Sequence, residues 1–214
     1  MENAYSPSLT VEYTRQTPSV NYIQPSAYAN AIHSIGDEAA AYIDKHSFFC
    51  TIAKGKVFLK AGTICPYIFI VNKGVVRGFM KDGKKEITTW ITAENEMVTS
   101  ISSFFSQQPS LENVQALEDC ELTGLYYDKL QYLYDRFPEM NTVGRKLLEK
   151  YYSDAEERAY LGRLSKASKK YAHFLVTKPS LINRIPLKYV ASYMGITLET
   201  LSRLRTTLSK KKRI

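Results

Sequence analysis

The stretch Pro186-Leu187-Lys188-Tyr189-Val190-Ala191-Ser192-Tyr193-Met194-Gly195-Ile196-Thr197-Leu198-Glu199-Thr200-Leu201-Ser202-Arg203-Leu204-Arg205 carries the punctuation of two helices joined by a tight turn. Pro186 suits the first helical position, because the N–H it lacks would be unpaired there anyway. Leu187, Val190, Ala191 and Met194 then form one apolar stripe at helical spacing. Gly195 can take the left-handed conformation that ends a helix. Ile196 is placed to tuck into a core, Thr197 to cap a second helix, and Glu199 to complement the positive end of its dipole. The spacing predicts helix, three-residue turn, helix.

The second helix sorts its residues by angle. At about 100° per residue, Leu201, Leu204 and Leu208 share a face that is expected to be buried, and Glu199, Ser202, Arg203 and Thr206 share the opposite one. Such a polar face is what a recognition helix lays in the major groove. Arg203 can make two parallel bonds to guanine, and Glu199 can accept from cytosine N4. Leu198 is lateral, within reach of a thymine methyl. Arg205 lies nearer the buried edge, which points to a phosphate or an intramolecular partner. Lys188 and Thr197 complete the expected contact set. An ordinary helical hairpin with a charged outer face is the plain alternative.

The charge distribution favours a polyanion. Residues 161–214 hold 13 Lys/Arg and a single acid, Glu199, for a net +12; residues 1–160 carry −4, and the whole chain +8. A basic C-terminal quarter on an acidic remainder reads as a segment built to meet nucleic acid, although Lys210, Lys211, Lys212 and Arg213 alone supply four of its charges.

Upstream, residues 1–28 are polar, contain Pro7, Pro18 and Pro25, and read as a poorly ordered arm. Residues 29–50 carry helical periodicity in Ile32, Ile35, Ala39, Ala40 and Ile43. From Thr51 to Asp128 the pattern becomes short β-branched and aromatic runs. These are Val57–Leu59, Tyr67–Val71, Val75–Phe79 and Ile87–Ile91, with further strands between Val114 and Leu125. Asp82-Gly83 is the signal of a two-residue hairpin with positive φ at both positions. Many short antiparallel strands closing on themselves predict a roll. After Phe137-Pro138 a helix is expected over residues 139–164, about 38 Å long at 1.5 Å per residue, more than a small roll can cover, so that it either packs on another chain or bridges two domains. Its apolar face, Met140, Val143, Leu147 and Tyr151, is assigned to a dimer interface, with Ala155, Ala159 and Gly162 at related positions further on. The fold class is α+β, in four parts: arm 1–28, roll 29–136, linking helix 137–164 and helix-turn-helix unit 165–214.

This order of parts resembles the Crp/Fnr family of transcription regulators over about residues 30–210. The most specific likeness is the Thr197-Leu198-Glu199-Thr200-Leu201-Ser202-Arg203 run, similar to that family's recognition-helix start. Val71-Asn72-Lys73-Gly74-Val75-Val76-Arg77 is similar to a turn of its cyclic-nucleotide-type domain. The resemblance implies a cytoplasmic, bacterial homodimer of winged-helix type joined along the long helix, double-stranded operator DNA as partner, and RNA polymerase as a further one.

Members of that family that bind cyclic AMP carry a Gly-Glu-Leu group and, about ten residues later, an Arg-Ser-Ala group, in which the Glu accepts from a sugar hydroxyl and the Arg meets the phosphate. Aligned on Phe104 and Ala116, these become Thr99-Ser100-Ile101 and Ser110-Leu111-Glu112. The Glu and Arg are replaced by serines, and Glu112 would repel a phosphate. The chain is therefore expected to bind no cyclic AMP, and no other cofactor is assigned. An effector pocket would draw on Arg77, Ser100, Ile101, Ser110 and Leu111, with Arg77 either facing the roll interior to hold an anion or standing as an ordinary surface arginine, the plainer reading.

Other chemistry finds little support. Cys50, Cys65 and Cys120 are scattered and odd in number, which fits reduced thiols rather than disulfides or a cluster. His33, His46 and His173 are isolated, so no metal site is expected. No run of eighteen apolar residues spans a membrane. A roll that regulates a partner protein is the second reading. An enzyme on a roll scaffold is a third, for which no constellation of residues speaks.

Overall fold

The hairpin around Gly83 sets the register of one sheet. β4 (Val76–Asp82) pairs antiparallel with β5 (Lys85–Thr92), closing on Asp82 opposite Lys85. The turn residues are thus Gly83 and Lys84 rather than Asp82-Gly83, and of these only Gly83 has positive φ, at 58°. Glycine at the first turn position is the pattern of a II′ hairpin, so the expected two-positive turn is corrected. The computed structural model describes residues 22–211. Residues 1–21 of the arm, Lys212 and Arg213, and the side chains of Leu208, Lys210 and Lys211 lie outside the described residues.

Six further strands complete the roll: β1 (Phe48–Ile52), β2 (Val57–Leu59), β3 (Tyr67–Lys73), β6 (Met97–Val98), β7 (Asn113–Ala116) and β8 (Cys120–Tyr126). They form two four-stranded sheets, in the orders β1-β8-β3-β6 and β2-β7-β4-β5, with every pairing antiparallel. The inner faces share one core, in which Phe69, Val71 and Leu122 of the first sheet meet Phe58, Val76 and Val114 of the second. Burying side chains of this size stabilises by roughly 1.5–3 kcal/mol each.

The two N-terminal helices depart from expectation. The predicted helix over 29–50 is two helices and a strand: α1 (Pro25–Ile32), α2 (Asp37–His46) and then β1. The arm accordingly ends before Pro25, not at 28. The stabilising contact comes from a distance. Asp44 of α2 accepts the Ser26 N–H at 3.0 Å and the Ser26 hydroxyl at 2.7 Å, placing a carboxylate at the start of α1. A short helix, α3 (Ile101–Ser106), links β6 to β7.

After α4 (Tyr127–Arg136) the chain runs into α5 (Pro138–Arg163), 26 residues long as the spacing predicted. Its first half covers the roll, with Met140 and Val143 in the roll core. Its end joins a second core, where Leu161 packs with Phe174, Val190, Met194 and Leu201 and with Val75, Ile91 and Leu117 of the roll. Thus α5 bridges both units. The C-terminal unit holds α6 (Ala167–Thr177), a 3₁₀ turn at Pro179–Leu181, α7 (Leu187–Met194) and α8 (Leu198–Lys211). Among the described residues no strand follows β8, so no wing strands flank α8 there. No helix among them is long and apolar enough to cross a membrane.

Candidate nucleic-acid interface and sensor cavity

Local chemistry fixes the α7–α8 pair. Pro186 sits one position before α7, as its cap, rather than at the first helical position. Gly195 ends α7 with φ 64° and ψ 39°, and its N–H and that of Ile196 close back on Ser192 and Ala191. Lys170 of α6, 8 % exposed, donates its Nζ to the Met194 carbonyl at 3.0 Å and to Gly162 at 3.3 Å. A buried ammonium on the last carbonyls of α7 and α5 complements both dipoles and ties three helices together. The Thr197 hydroxyl accepts the Thr200 N–H at 3.2 Å and caps α8.

With α8 so fixed, its faces separate. Leu201 is fully buried, and Leu204 is half-buried beside it. Glu199, Ser202, Arg203 and Thr206 are all exposed, as are Lys188, Thr197 and Leu198 at the helix entries. The backbone N–H at the start of α8, the Thr197 hydroxyl and Arg203 hold the Glu199 carboxyl below the usual carboxylate range. Arg205 is half-buried on the Leu201 side.

The unit is held against the roll by two arginines. Arg184 donates Nη1 and Nη2 to Glu94 at 2.8 and 2.6 Å, and Nε and Nη2 to Glu118 at 3.2 and 2.6 Å. That pairing holds the Glu94 carboxyl down at about 2, against the opposing effect of burial. Arg77, 1 % exposed, lies between the rings of Phe79 (4.2 Å) and Tyr189 of α7 (3.8 Å). It bonds Gln115 and Thr88 and pairs with Glu86. Ser192 of α7 accepts the Thr88 N–H at 2.9 Å and donates to the Glu86 carbonyl at 3.1 Å.

This placement corrects the expected role of Arg77. It stacks on Tyr189 and faces α7, because β4 is covered on that side by a helix that its sequence pattern did not reveal. Two other pocket residues are also turned inward. Ser100 and Ser110, 1 % and 2 % exposed, are brought together with their hydroxyls 2.9 Å apart, and Ser110 also donates to the Glu112 carbonyl at 2.8 Å. Ile101 and Leu111 do line a cavity, of about 500 Å³, between β5, β6, α3, α5 and Tyr193 of α7. Trp90, Met97 and Tyr151 form part of its wall. The sequence reading missed Trp90 and Tyr193. A usable signal was Gly78, which pairs with Trp90 across the sheet; a Cβ there would stand 2.3 Å from the indole, so only glycine lets the ring lie against β4.

The two aligned groups lack the Glu and Arg by which cyclic-AMP-binding members hold their ligand. The two aligned groups contribute hydroxyls that satisfy each other, no cation and one carboxylate, Glu112. On α5, Lys150 is already paired with Glu96 at 4.0 Å and Asp154 at 3.6 Å, and Arg158 also lines the cavity.

The expected dimer face is corrected as well. Met140 and Val143, 4 % and 3 % exposed, and half-buried Leu147 pack on the chain's own roll. Tyr151 accepts the Met97 N–H at 2.6 Å, and burial pushes its phenol up. The roll takes up this face because it is the nearest apolar surface. The face left open carries Leu148, Tyr152, Ala155, Ala159 and Gly162, all exposed. Their separations of four, three, four and three residues are a heptad signal that the sequence already contained.

Residues 49–137 match the cyclic nucleotide-binding domain family. No curated protein matches the chain. Among solved structures it is similar to FixK2 from Bradyrhizobium japonicum, with 17 % identity, coverage of 78 % of this chain and 86 % of that one, and a TM-score of 0.66. The regulator CLP of Xanthomonas campestris, described as c-di-GMP responsive, gives 16 % identity, 83 % and 93 % coverage and 0.64. A Crp/Fnr-family chain from Eubacterium rectale gives 16 %, 83 % and 85 %, and 0.66. The roll of this chain is thus similar to cyclic nucleotide-binding domains, and the chain shares its overall fold with a solved chain described as of the Crp/Fnr family.

Proposed function

We propose that the chain is a homodimeric, sequence-specific DNA-binding transcription regulator of the Crp/Fnr type, with α8 as the recognition helix. The observation that carries this reading is the division of α8: Leu201 buried, and Glu199, Ser202, Arg203 and Thr206 side by side in solvent. A helix that presents polar side chains beside a capped N-terminus, in a segment of net charge +12, has the chemistry for base edges and phosphates. Dimerisation is assigned to the open α5 stripe of Leu148, Tyr152, Ala155 and Ala159. Two such stripes wound together bury apolar surface and set two recognition helices on a two-fold symmetric site.

Selection of bound sequences from a random duplex pool tests the reading. The expected result is a palindromic site whose binding weakens steeply with salt. Recovery of no preferred sequence, with salt-independent binding, would remove the recognition role from α8. The second reading, a roll that controls a partner protein, gains no specific observation here.

A further inference from the structure

The cavity between the roll and α5 is lined by apolar side chains, among them Trp90, Met97 and Ile101, and by charged ones: the carboxylates Glu96, Glu112, Asp154 and Glu157 and the cations Lys150, Arg158 and Lys178. Glu96 and Asp154 pair with Lys150, and Glu157 bonds His173, which leaves Glu112 as the lining carboxylate without an ion pair among the described residues. Its Oε2 accepts from Thr89 Oγ1 at 3.0 Å and from Trp90 Nε1 at 2.9 Å, and both donors are neutral. Its backbone is fixed by Ser110, whose hydroxyl accepts the Glu112 N–H at 3.2 Å and donates to its carbonyl at 2.8 Å. Arg158 of α5 attracts the carboxylate from a distance, and no hydrogen bond joins them. Burial pushes the Glu112 carboxyl up against the hydrogen bonds from Thr89, Trp90 and Ser100. A charge held by neutral donors in a half-buried site is one that an added cation would stabilise. The walls offer Trp90, Met97, Ile101 and Tyr193, and the volume of about 500 Å³ suits a small organic molecule.

We propose that this cavity binds a small, largely apolar amine, whose ammonium group pairs with Glu112 while its hydrocarbon or ring lies against Trp90, Met97 and Tyr193. The tryptophan face also favours a nearby cation. The inference rests on the regulator reading only for its consequence at DNA; binding itself is measured on the full chain without DNA, so either can fail alone.

Trp90 is the only tryptophan of the chain and reports on the cavity directly. Its fluorescence, excited at the red edge of the absorption band, is followed during titration with 2-phenylethylamine, phenylacetate and cyclic AMP, while sedimentation records the oligomeric state. The amine is expected to change the emission and to bind about tenfold or more tightly than phenylacetate, the scale of one charge-assisted hydrogen bond. Glu112→Gln is expected to erase that preference. Leu111→Arg places a competing cation beside Glu112 at a position 75 % exposed, where folding is insensitive, and is expected to do the same. Equal affinity for amine and carboxylate, tighter binding of cyclic AMP, or an unchanged amine affinity in Leu111→Arg would overturn the proposal. So would a dimer that answers to none of the three probes, since the partner subunit would then fill the cavity.

Discussion

Arg203→Ala separates base reading from general attraction. Arg203 is exposed on α8, about 160° around the helix from buried Leu201 at 100° per residue. It forms no ion pair among the described residues, and its carbonyl, not its side chain, accepts the Thr207 hydroxyl. Truncation should therefore leave stability within about 0.5 kcal/mol, so a loss of binding is not a loss of fold. A bidentate contact to guanine contributes about 1–3 kcal/mol of discrimination, and 1.4 kcal/mol is tenfold. The expected loss is thus roughly 5- to 150-fold per half-site, confined to one base-pair position. On a scrambled duplex the variant should lose only one phosphate-like charge, lowering the salt slope by about 0.9. The assay is a set of binding curves on operator and scrambled duplexes at several salt concentrations. Equal loss on both duplexes would refute the placement of Arg203 against base edges, and with it the orientation of α8.

Tyr152→Glu, on the open face of α5, should shift sedimentation from dimer to monomer at micromolar concentration with an unchanged thermal midpoint, whereas Met140→Ala should lower the midpoint by removing about 2–5 kcal/mol of roll packing. The pairing of Glu94 with Arg184 should make stability fall as pH drops from the ordinary 4.5 through about 2, since a carboxyl held down in the folded state stabilises above its unfolded value and stops doing so below its folded one. Thermal melts from neutral to acid pH should be steeper for the native chain than for Glu94→Gln, and parallel curves would exclude that pair. Gly195→Ala should cost about 1–2 kcal/mol from its left-handed backbone alone, because an added Cβ meets nothing closer than Lys170 Nζ at 3.7 Å; a much larger loss in a chemical denaturation curve would mean that the turn is packed more tightly than it stands.

What the sequence disclosed and what it hid follow from the range of the interactions. The α7–α8 turn was legible because its determinants are local: Gly195, Thr197 and the leucine spacing act within one or two turns of chain. The length of α5 was legible for the same reason. The start of α1 was not, because Asp44 caps it from 18 residues away. The face of α5 that meets the roll and the face left open both carry apolar residues at helical spacing, and periodicity alone ranks neither. Arg77 shows the limit most plainly. A single arginine after a strand-turn signal has no local feature to say whether it points into a ligand cavity or onto a helix more than 100 residues later in the chain.

The position of that arginine bears on how a roll of this kind connects to the helices that follow it. β5 carries, in six consecutive residues, contacts to both ends of the problem. Trp90 and Ile91 border the cavity, while Thr88 and Glu86 hold Ser192 and Arg77. Tyr193, next to Ser192 on α7, closes the same cavity from the other side, and Arg77 stacks on Tyr189 one turn earlier. Coupling between sites requires contacts that differ between two arrangements, and packed side chains supply such contacts because they rearrange in steps rather than by continuous deformation. Here no relay of intermediate residues is needed. The wall of the cavity and the support of the first helix of the helix-turn-helix are the same strand, so a change of rotamer at Trp90 or Tyr193 bears on the seat of α7 within one turn, and α8 is fixed to α7 through the shared Leu201 core.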